Sequence, residues 1–432
     1  MESSSVKVGL LGCGTVGAAL AHLIVEQHDV VARRTGLDLT VEAVVVRDLT
    51  VERQVPVAAE AFSSDPAAVV ANPNIDVVVE VMGGLEPARQ MILDSLAAGQ
   101  PVITANKELL AAHGPELYAA AESAGVDLLF EAAVAGAIPI MRPLRESLAG
   151  EPVTRVMGII NGTTNFILSR MTDDGASFAD ALAEAQDLGY AEADPTADVE
   201  GYDAGAKVAV IATLAFGARV SSADVHHEGI TGITTDDIAF ASRLGHCIKL
   251  LAVADRSTNA AGNQEIGVRV HPALVPLSHP LAAVNGSFNA VFVEGDAIGQ
   301  LMFYGPGAGG RPTASAVFGD LIDAAGNHQR RHGARIGDLQ EAHIASLDDL
   351  SSAVYLSLEV EDQPGVLSQV ADVFGQHGVS IQSMEQEGLG SEARLTFITH
   401  QTREADLQAT LNDLSNLAAV RCVGSVLRVI GE

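Results

Sequence analysis

The segment VKVGLLGCGTVGAALAHLIVEQ, residues 6–27, constrains this chain more than any other. An apolar run, a glycine turn and helix-forming sequence specify strand, tight loop and helix. Gly12, Gly14 and Gly17 then allow a sharp turn, close approach of backbone to a pyrophosphate and close helix packing. The helix opening at Thr15 and Val16 would direct its N-terminus at the phosphates. Three further strands are predicted: LTVEAVVVRD ending at Arg47, NIDVVVEVMGG ending near Gly83, and QPVITANKELL ending near Lys107. Alternating with helical stretches such as PARQMILDSLAAG, they describe crossover units and a Rossmann-type parallel sheet.

Such a sheet binds ligands at the carboxyl ends of its strands, which makes Arg47, Thr104 and Lys107 candidates for cofactor contact. An arginine at the end of the second strand suits the 2'-phosphate of NADP, whereas an acidic residue there would accept the ribose hydroxyls of NAD. Asp48 follows Arg47, so NADP is favoured and NAD tolerated.

The fold class expected is α/β, in four parts: a nucleotide-binding domain over 1–130, a mixed α+β substrate and dimerisation domain over 131–310, a return segment and linker over 311–350, and a final module over 351–432. The linker assignment rests on GNHQRRHGARIGDLQEAHIASLDDLSS, which is polar and weakly periodic. The final module spells strand, helix, strand, strand, helix, strand, the order of a separate ferredoxin-like domain. Hydrophobic residues make up 48% of the chain and aromatics 4%, with no Trp, so the cores must be built from Ala, Val, Leu and Ile.

The net charge of -30 opposes any phosphate backbone or anionic membrane surface, so neither nucleic acid nor membrane is an expected partner. Cys13, Cys247 and Cys422 show no disulfide or zinc spacing, and MESSSVKVGLLGCG lacks the basic start and apolar run of a signal peptide. A cytoplasmic location is expected. A thioester-forming dehydrogenase would need an activated cysteine, but Cys13 falls in the cofactor loop, Cys422 in the last module, and Cys247 in GHCIKLLAVA, read as an apolar helix.

GYDAGAKVAVIATLA, residues 201–215, reads as a helix of small and apolar residues carrying Asp203 and, one turn on, Lys207. The chain has only four lysines, Lys7, Lys107, Lys207 and Lys249. A structural ion pair and a proton-transfer lysine both fit that placement. Ahead of it, GYAEADPTADVE offers Glu192, Asp194, Asp198 and Glu200, which suggests an amine-bearing substrate. NGTTNFIL puts Asn161, Thr163 and Thr164 in a polar turn after a strand, where backbone capping and substrate contact are equally served.

Taken as a set, GLLGCGTVG, VVVEVMGG, TANKELL, FEAAVAGAIPI, NGTTNFIL, LGYAEADPTADVEGYDAGAK and YGPGAGGRPTASAV resemble the homoserine dehydrogenase family, in that family's order and over nearly the whole chain. The last module resembles an ACT domain through DQPGVL, residues 362–367. The resemblance implies reversible NAD(P)-dependent interconversion of L-homoserine and L-aspartate 4-semialdehyde, in threonine, methionine and isoleucine biosynthesis.

By the same resemblance Lys207 is the acid/base, with Lys107 a second candidate and Asp203 beside the reacting oxygen. Glu192 and Asp198, with Gly189 and Thr163, would hold the substrate, and Gly305 would lie near the cofactor. A monovalent cation, in that family usually sodium, would sit on the backbone of Glu131, Val134, Gly136 and Ile138. Threonine is the implied effector, at Asp362, Pro364 and Gly365, and a homodimer or homotetramer the implied assembly. The alternative is a non-enzymatic amino-acid sensor that uses the ACT module for ligand and the nucleotide domain as scaffold.

Overall fold

The computed structural model describes residues 4–259, 262–330, 332–333, 336–388, 390 and 392–431. They form two compact units, one of Met1–Val156, Ala206–Val225 and Phe288–Ala342, the other of Met157–Gly205, His226–Ser287 and His343–Glu432.

In the first unit, strands β1 (Ser4–Leu11), β2 (Leu37–Val45), β3 (Phe62–Ser63), β4 (Val77–Glu80), β5 (Val102–Thr104) and β6 (Leu128–Leu129) form one sheet in the order β3-β2-β1-β4-β5-β6. Every pairing is parallel. Val8, Leu10, Val77, Val78, Val79 and Ile103 are wholly buried, as strands covered on both faces require. The strands end a few residues before the predicted points, at Val45, Glu80 and Thr104. Helix Thr15–Glu26 follows the glycine turn, where Gly12 has φ +104° and a Cβ on Gly17 would overlap the Gly12 carbonyl oxygen.

The return segment corrects the linker reading. Helix Gly310–Arg330 carries Ala314, Val317, Leu321, Ala324 and Ala325 into the same core as the sheet, so the first part of the supposed linker is its last turns. Polar residues there face outward, which made a helix end resemble a linker. The short strand Gln340–Glu341 then pairs with Ala218–Arg219.

In the second unit, strand His246–Thr258 runs antiparallel to Gln264–Pro276 along its whole length. Cys247 therefore lies on a strand, not on the helix expected. An apolar run buried on both faces has no period to separate strand from helix, and only the partner strand decides. The sheet continues through Val420–Val429, Ser351–Glu361, Glu392–Thr399 and Ile381–Gly388, in that order. With helices Val366–Gln376 and Glu404–Ser415 these last four strands make the predicted βαββαβ module. Instead of standing apart, it extends the unit's sheet, because Val420–Val429 pairs in parallel with Gln264–Pro276.

Arg428 sits at that seam, opposite Ala273. Its guanidinium meets Glu228 at 2.7 Å and Glu404 at 3.0 Å, and both its side chain and that of Glu404 are buried. Burial pushes the Glu228 carboxyl up, but His226 and Arg428 outweigh it and hold it at about 2, against the ordinary 4.5. A depressed carboxyl contributes stability above its unfolded pKa and loses it as pH falls through the folded one. The melting-temperature gap between the parent and Glu228→Gln should thus be constant above about pH 4.5 and close toward pH 2. A gap that does not change with acid would refute the charge role of Glu228.

Candidate active site

At the carboxyl end of β4, Glu80 is wholly buried and ties two loops together. Its Oε1 accepts from the backbone N–H groups of Met82 and Gly83, at 2.8 and 3.2 Å, and its Oε2 accepts from the Thr104 hydroxyl at 2.6 Å. Thr104 in turn accepts from the Asn106 N–H at 3.0 Å. The Asn106 side chain caps helix Lys107–Ala124 through Leu109 N–H and donates to the Gly84 carbonyl at 2.7 Å. Thr104 is wholly buried, its hydroxyl donating to Glu80 and accepting from the Asn106 N–H. The chain of bonds sets Lys107 at the first position of its helix, at the crevice mouth.

A cavity of about 360 Å³ opens there, lined among others by Val16, Gly83, Lys107, Gly136, Lys207 and Thr313. Two of the four lysines, from helices Lys107–Ala124 and Tyr202–Phe216, thereby share one cavity. Asp203 stands one turn before Lys207 on that helix. Gly307 and Ala308 line the cavity, two and three residues past Gly305.

A dinucleotide fits beside it. Helix Thr15–Glu26 starts at exposed Gly14 with no side-chain cap, leaving its N-terminus open to a pyrophosphate, and a Cβ at Gly12 would lie 2.8 Å from the Val81 carbonyl oxygen. Arg47 is exposed past the end of β2, while Asp48 accepts from the Thr50 N–H and hydroxyl.

The segment 131–138 forms the next wall. Buried Glu131 turns its carboxylate inward, accepting from the N–H groups of Ile140, Met141 and Arg142 at 2.5, 2.7 and 2.9 Å. Its own N–H donates to Asp320 at 2.7 Å, and Arg142 donates to the other oxygen of Asp320 at 3.1 Å. Burial pushes Asp320 up to about 7 against the pull of both donors. Between these anchors Ala135 and Gly136 take left-handed φ of +55° and +61°, which turns successive peptide units. Among the described residues no cluster of three His, Cys, Asp or Glu could hold a metal.

In the second unit Asn161 is buried and caps helix Gly162–Asp174, its Oδ1 accepting from the Thr164 N–H and hydroxyl, both at 2.9 Å. Its Nδ2 donates to Asp198 at 2.6 Å and to Asp203 at 2.9 Å. The structure therefore brings together two of the predicted carboxylates, one from helix Thr196–Val199 and one from the first turn of Tyr202–Phe216, joined through Gly201 at φ +84°. Thr163 donates to the Tyr190 carbonyl at 2.6 Å, Gly189 turns the chain at φ +75°, and Glu192 is exposed. Asp194 is occupied locally by the Thr196 N–H and hydroxyl. Sequence reasoning missed Glu80, Asn106 and Asp320. Only the N-cap pattern at Asn106 leaves a sequence signal.

Burial pushes the Cys13 and Cys247 thiols up, the reverse of what a nucleophile needs, and Cys422 is exposed in the last module.

Residues 12–131 match the family model "Homoserine dehydrogenase, NAD binding domain", residues 139–322 match "Homoserine dehydrogenase", and residues 354–419 match "ACT domain". A homoserine dehydrogenase of Corynebacterium glutamicum is 50% identical over 429 residues, covering 99% of this chain and 96% of that one. The chain belongs to the homoserine dehydrogenase family. It is an enzyme, an oxidoreductase with a nicotinamide-cofactor domain, which sets aside the reading as a non-enzymatic sensor. The homoserine dehydrogenase of Bacillus subtilis is 42% identical over 433 residues, covering 99% of both chains. Among solved structures, the homoserine dehydrogenase of Thiobacillus denitrificans superposes with a TM-score of 0.91 at 40% identity, covering 99% of this chain and 98% of that one. A hyperthermophilic archaeal homoserine dehydrogenase mutant in complex with NADPH covers 74% of this chain and 98% of its own, with a TM-score of 0.62 at 29% identity. No helix among the described residues is long and apolar enough to cross a membrane.

Proposed function

We propose that this homoserine dehydrogenase interconverts L-homoserine and L-aspartate 4-semialdehyde, with Lys207 as acid/base. The observation that carries this is the shared cavity of Lys107 and Lys207 at the carboxyl end of the parallel sheet. Bound NADP(H) supplies or accepts the hydride. As the aldehyde carbon is reduced, negative charge grows on its oxygen, and the Lys207 ammonium donates the proton that neutralises it. In the reverse direction the neutral amine takes the hydroxyl proton. Lys107, in the same cavity, is the second cation for that oxygen or for the cofactor. Glu192 and Asp198 supply the negative charge that a substrate ammonium needs, Asp203 lies beside the reacting oxygen, and Gly189 and Thr163 shape the segment that binds the substrate.

The glycine turn of Gly12, Gly14 and Gly17, with Thr15, Val16 and Gly305, forms the cofactor side, and NADP is preferred with NAD tolerated. Arg47→Ala should then raise the Michaelis constant for NADP much more than that for NAD, since only NADP carries a phosphate for the guanidinium to grip. Steady-state assays with both cofactors measure this, and equal losses would remove Arg47 from phosphate recognition. Sodium, or another monovalent cation, is held by the peptide oxygens of Glu131, Val134, Gly136 and Ile138, where it would stiffen the wall beside Gly136.

The enzyme serves threonine, methionine and isoleucine biosynthesis in the cytoplasm as a homodimer or homotetramer, and its ACT module binds threonine. The support is local: Asp362 and Pro364 lead to Gly365, whose φ of +89° opens helix Val366–Gln376, and backbone donors at such an opening suit an amino acid's carboxylate. Calorimetry on the full chain should register threonine binding, and threonine should lower turnover through a coupling of about 1 to 3 kcal/mol. A chain that neither binds threonine nor is inhibited by it would leave the module an assembly element.

A further inference from the structure

We infer that Asn161 is a positioning residue that sets the spacing of Asp198 and Asp203. This rests on the reading that those two carboxylates face the substrate.

Two functions meet on one amide. A backbone N–H only donates, so the Asn161 oxygen must face Thr164, and the NH2 group is thereby turned toward the carboxylates, which only accept. The cap thus dictates which end of the amide reaches Asp198 and Asp203. Each carboxylate takes one of the two amide hydrogens, so their oxygens are fixed around a single nitrogen. That shared donor links the two carboxylates directly across neighbouring segments, and its removal takes the link away. Because Asn161 is buried at the rigid start of a helix, it sets this spacing before any substrate arrives.

No other side chain of this length does both. Serine caps a helix as well as asparagine, but its single hydroxyl cannot span two carboxylates. Aspartate caps equally well and is the same size, but it replaces both donors with a third negative charge.

The test compares Asn161→Ser and Asn161→Asp with Asp198→Asn and Asp203→Asn, all in the full chain. The serine variant should melt close to the parent and bind NADPH with unchanged affinity. Its kcat/KM for homoserine should fall about 10- to 100-fold, chiefly through KM, as expected when binding groups are misplaced by a fraction of an ångström to an ångström. The aspartate variant should be worse than the serine variant. If Asn161→Ser keeps the parent's kcat/KM, the inference is overturned and Asn161 is only a cap. A serine variant that loses stability, beside an aspartate variant that regains the parent's kinetics, also overturns it. Should the serine variant not fold, the aspartate variant decides alone: parental kcat/KM overturns the inference and a loss confined to the substrate upholds it. If instead Asp198→Asn and Asp203→Asn both keep parental KM and kcat, the underlying reading of the two carboxylates fails, separately from anything seen at Asn161.

Discussion

Lys207→Ala is expected to lower turnover about 100- to 10,000-fold, the usual contribution of a general acid/base, while leaving NADPH affinity near that of the parent. The prediction separates two kinds of buried or half-buried lysine that the sequence could not. Lys249 is the structural kind. It is 3% exposed, donates to the Val284 carbonyl at 2.6 Å, to Asn285 at 2.9 Å and to Asn165 at 3.3 Å, and burial pulls its pKa down. Those acceptors are loop and helix groups of the second unit, so Lys249 fastens structure together. Lys207 lines a cavity with a second lysine, where its proton has somewhere to go. Stopped-flow measurement of nicotinamide absorbance would read the loss directly. A variant within twofold of the parent's turnover number would return Lys207 to the structural class.

Arg428→Met should cost about 3 to 5 kcal/mol, because it removes one partner of a buried ion pair and leaves the other uncompensated. Glu404 is 4% exposed and would lose its cation to an apolar side chain. Glu228 would lose its contact with Arg428 and keep that with His226. In a unit of this size the melting transition should fall by roughly 10 °C, at about 2 to 4 °C for each kcal/mol. Scanning calorimetry of the full chain tests it. A shift under about 2 °C would mean that the seam between Gln264–Pro276 and Val420–Val429 is held by its strand pairing alone.

The acidic stretch shows how far residue chemistry carries. Its carboxylates were legible as a negative site because they precede a helix bearing one of only four lysines. Their division of labour was not. Asp194 is taken up by Thr196, Glu192 is exposed, and Asp198 and Asp203 share the amide of a residue 37 and 42 positions away. Nothing in a one-dimensional pattern marks a contact over that separation. The same holds for Glu80 and Thr104: Glu80 reads as an ordinary strand residue and Thr104 as a candidate cofactor contact, and only their meeting between β4 and β5 shows a buried carboxylate organising the crevice.

The sequence by itself determined what depends on local backbone chemistry and on period. The glycine turn, the alternation of strands and helices, the helix carrying Asp203 and Lys207, and the βαββαβ order of the last module all follow from residues within a few positions of one another. Tertiary structure decided what depends on burial from both sides or on distant partners. The run at Cys247 became a strand because Gln264–Pro276 lies along it, and the polar end after Gly326 is the last turn of a helix whose Ala314–Ala325 face joins the first core. The last module became a continuation of a sheet because strand edges pair wherever hydrogen-bond donors and acceptors come into register, and register between distant segments is settled only when the chain has folded.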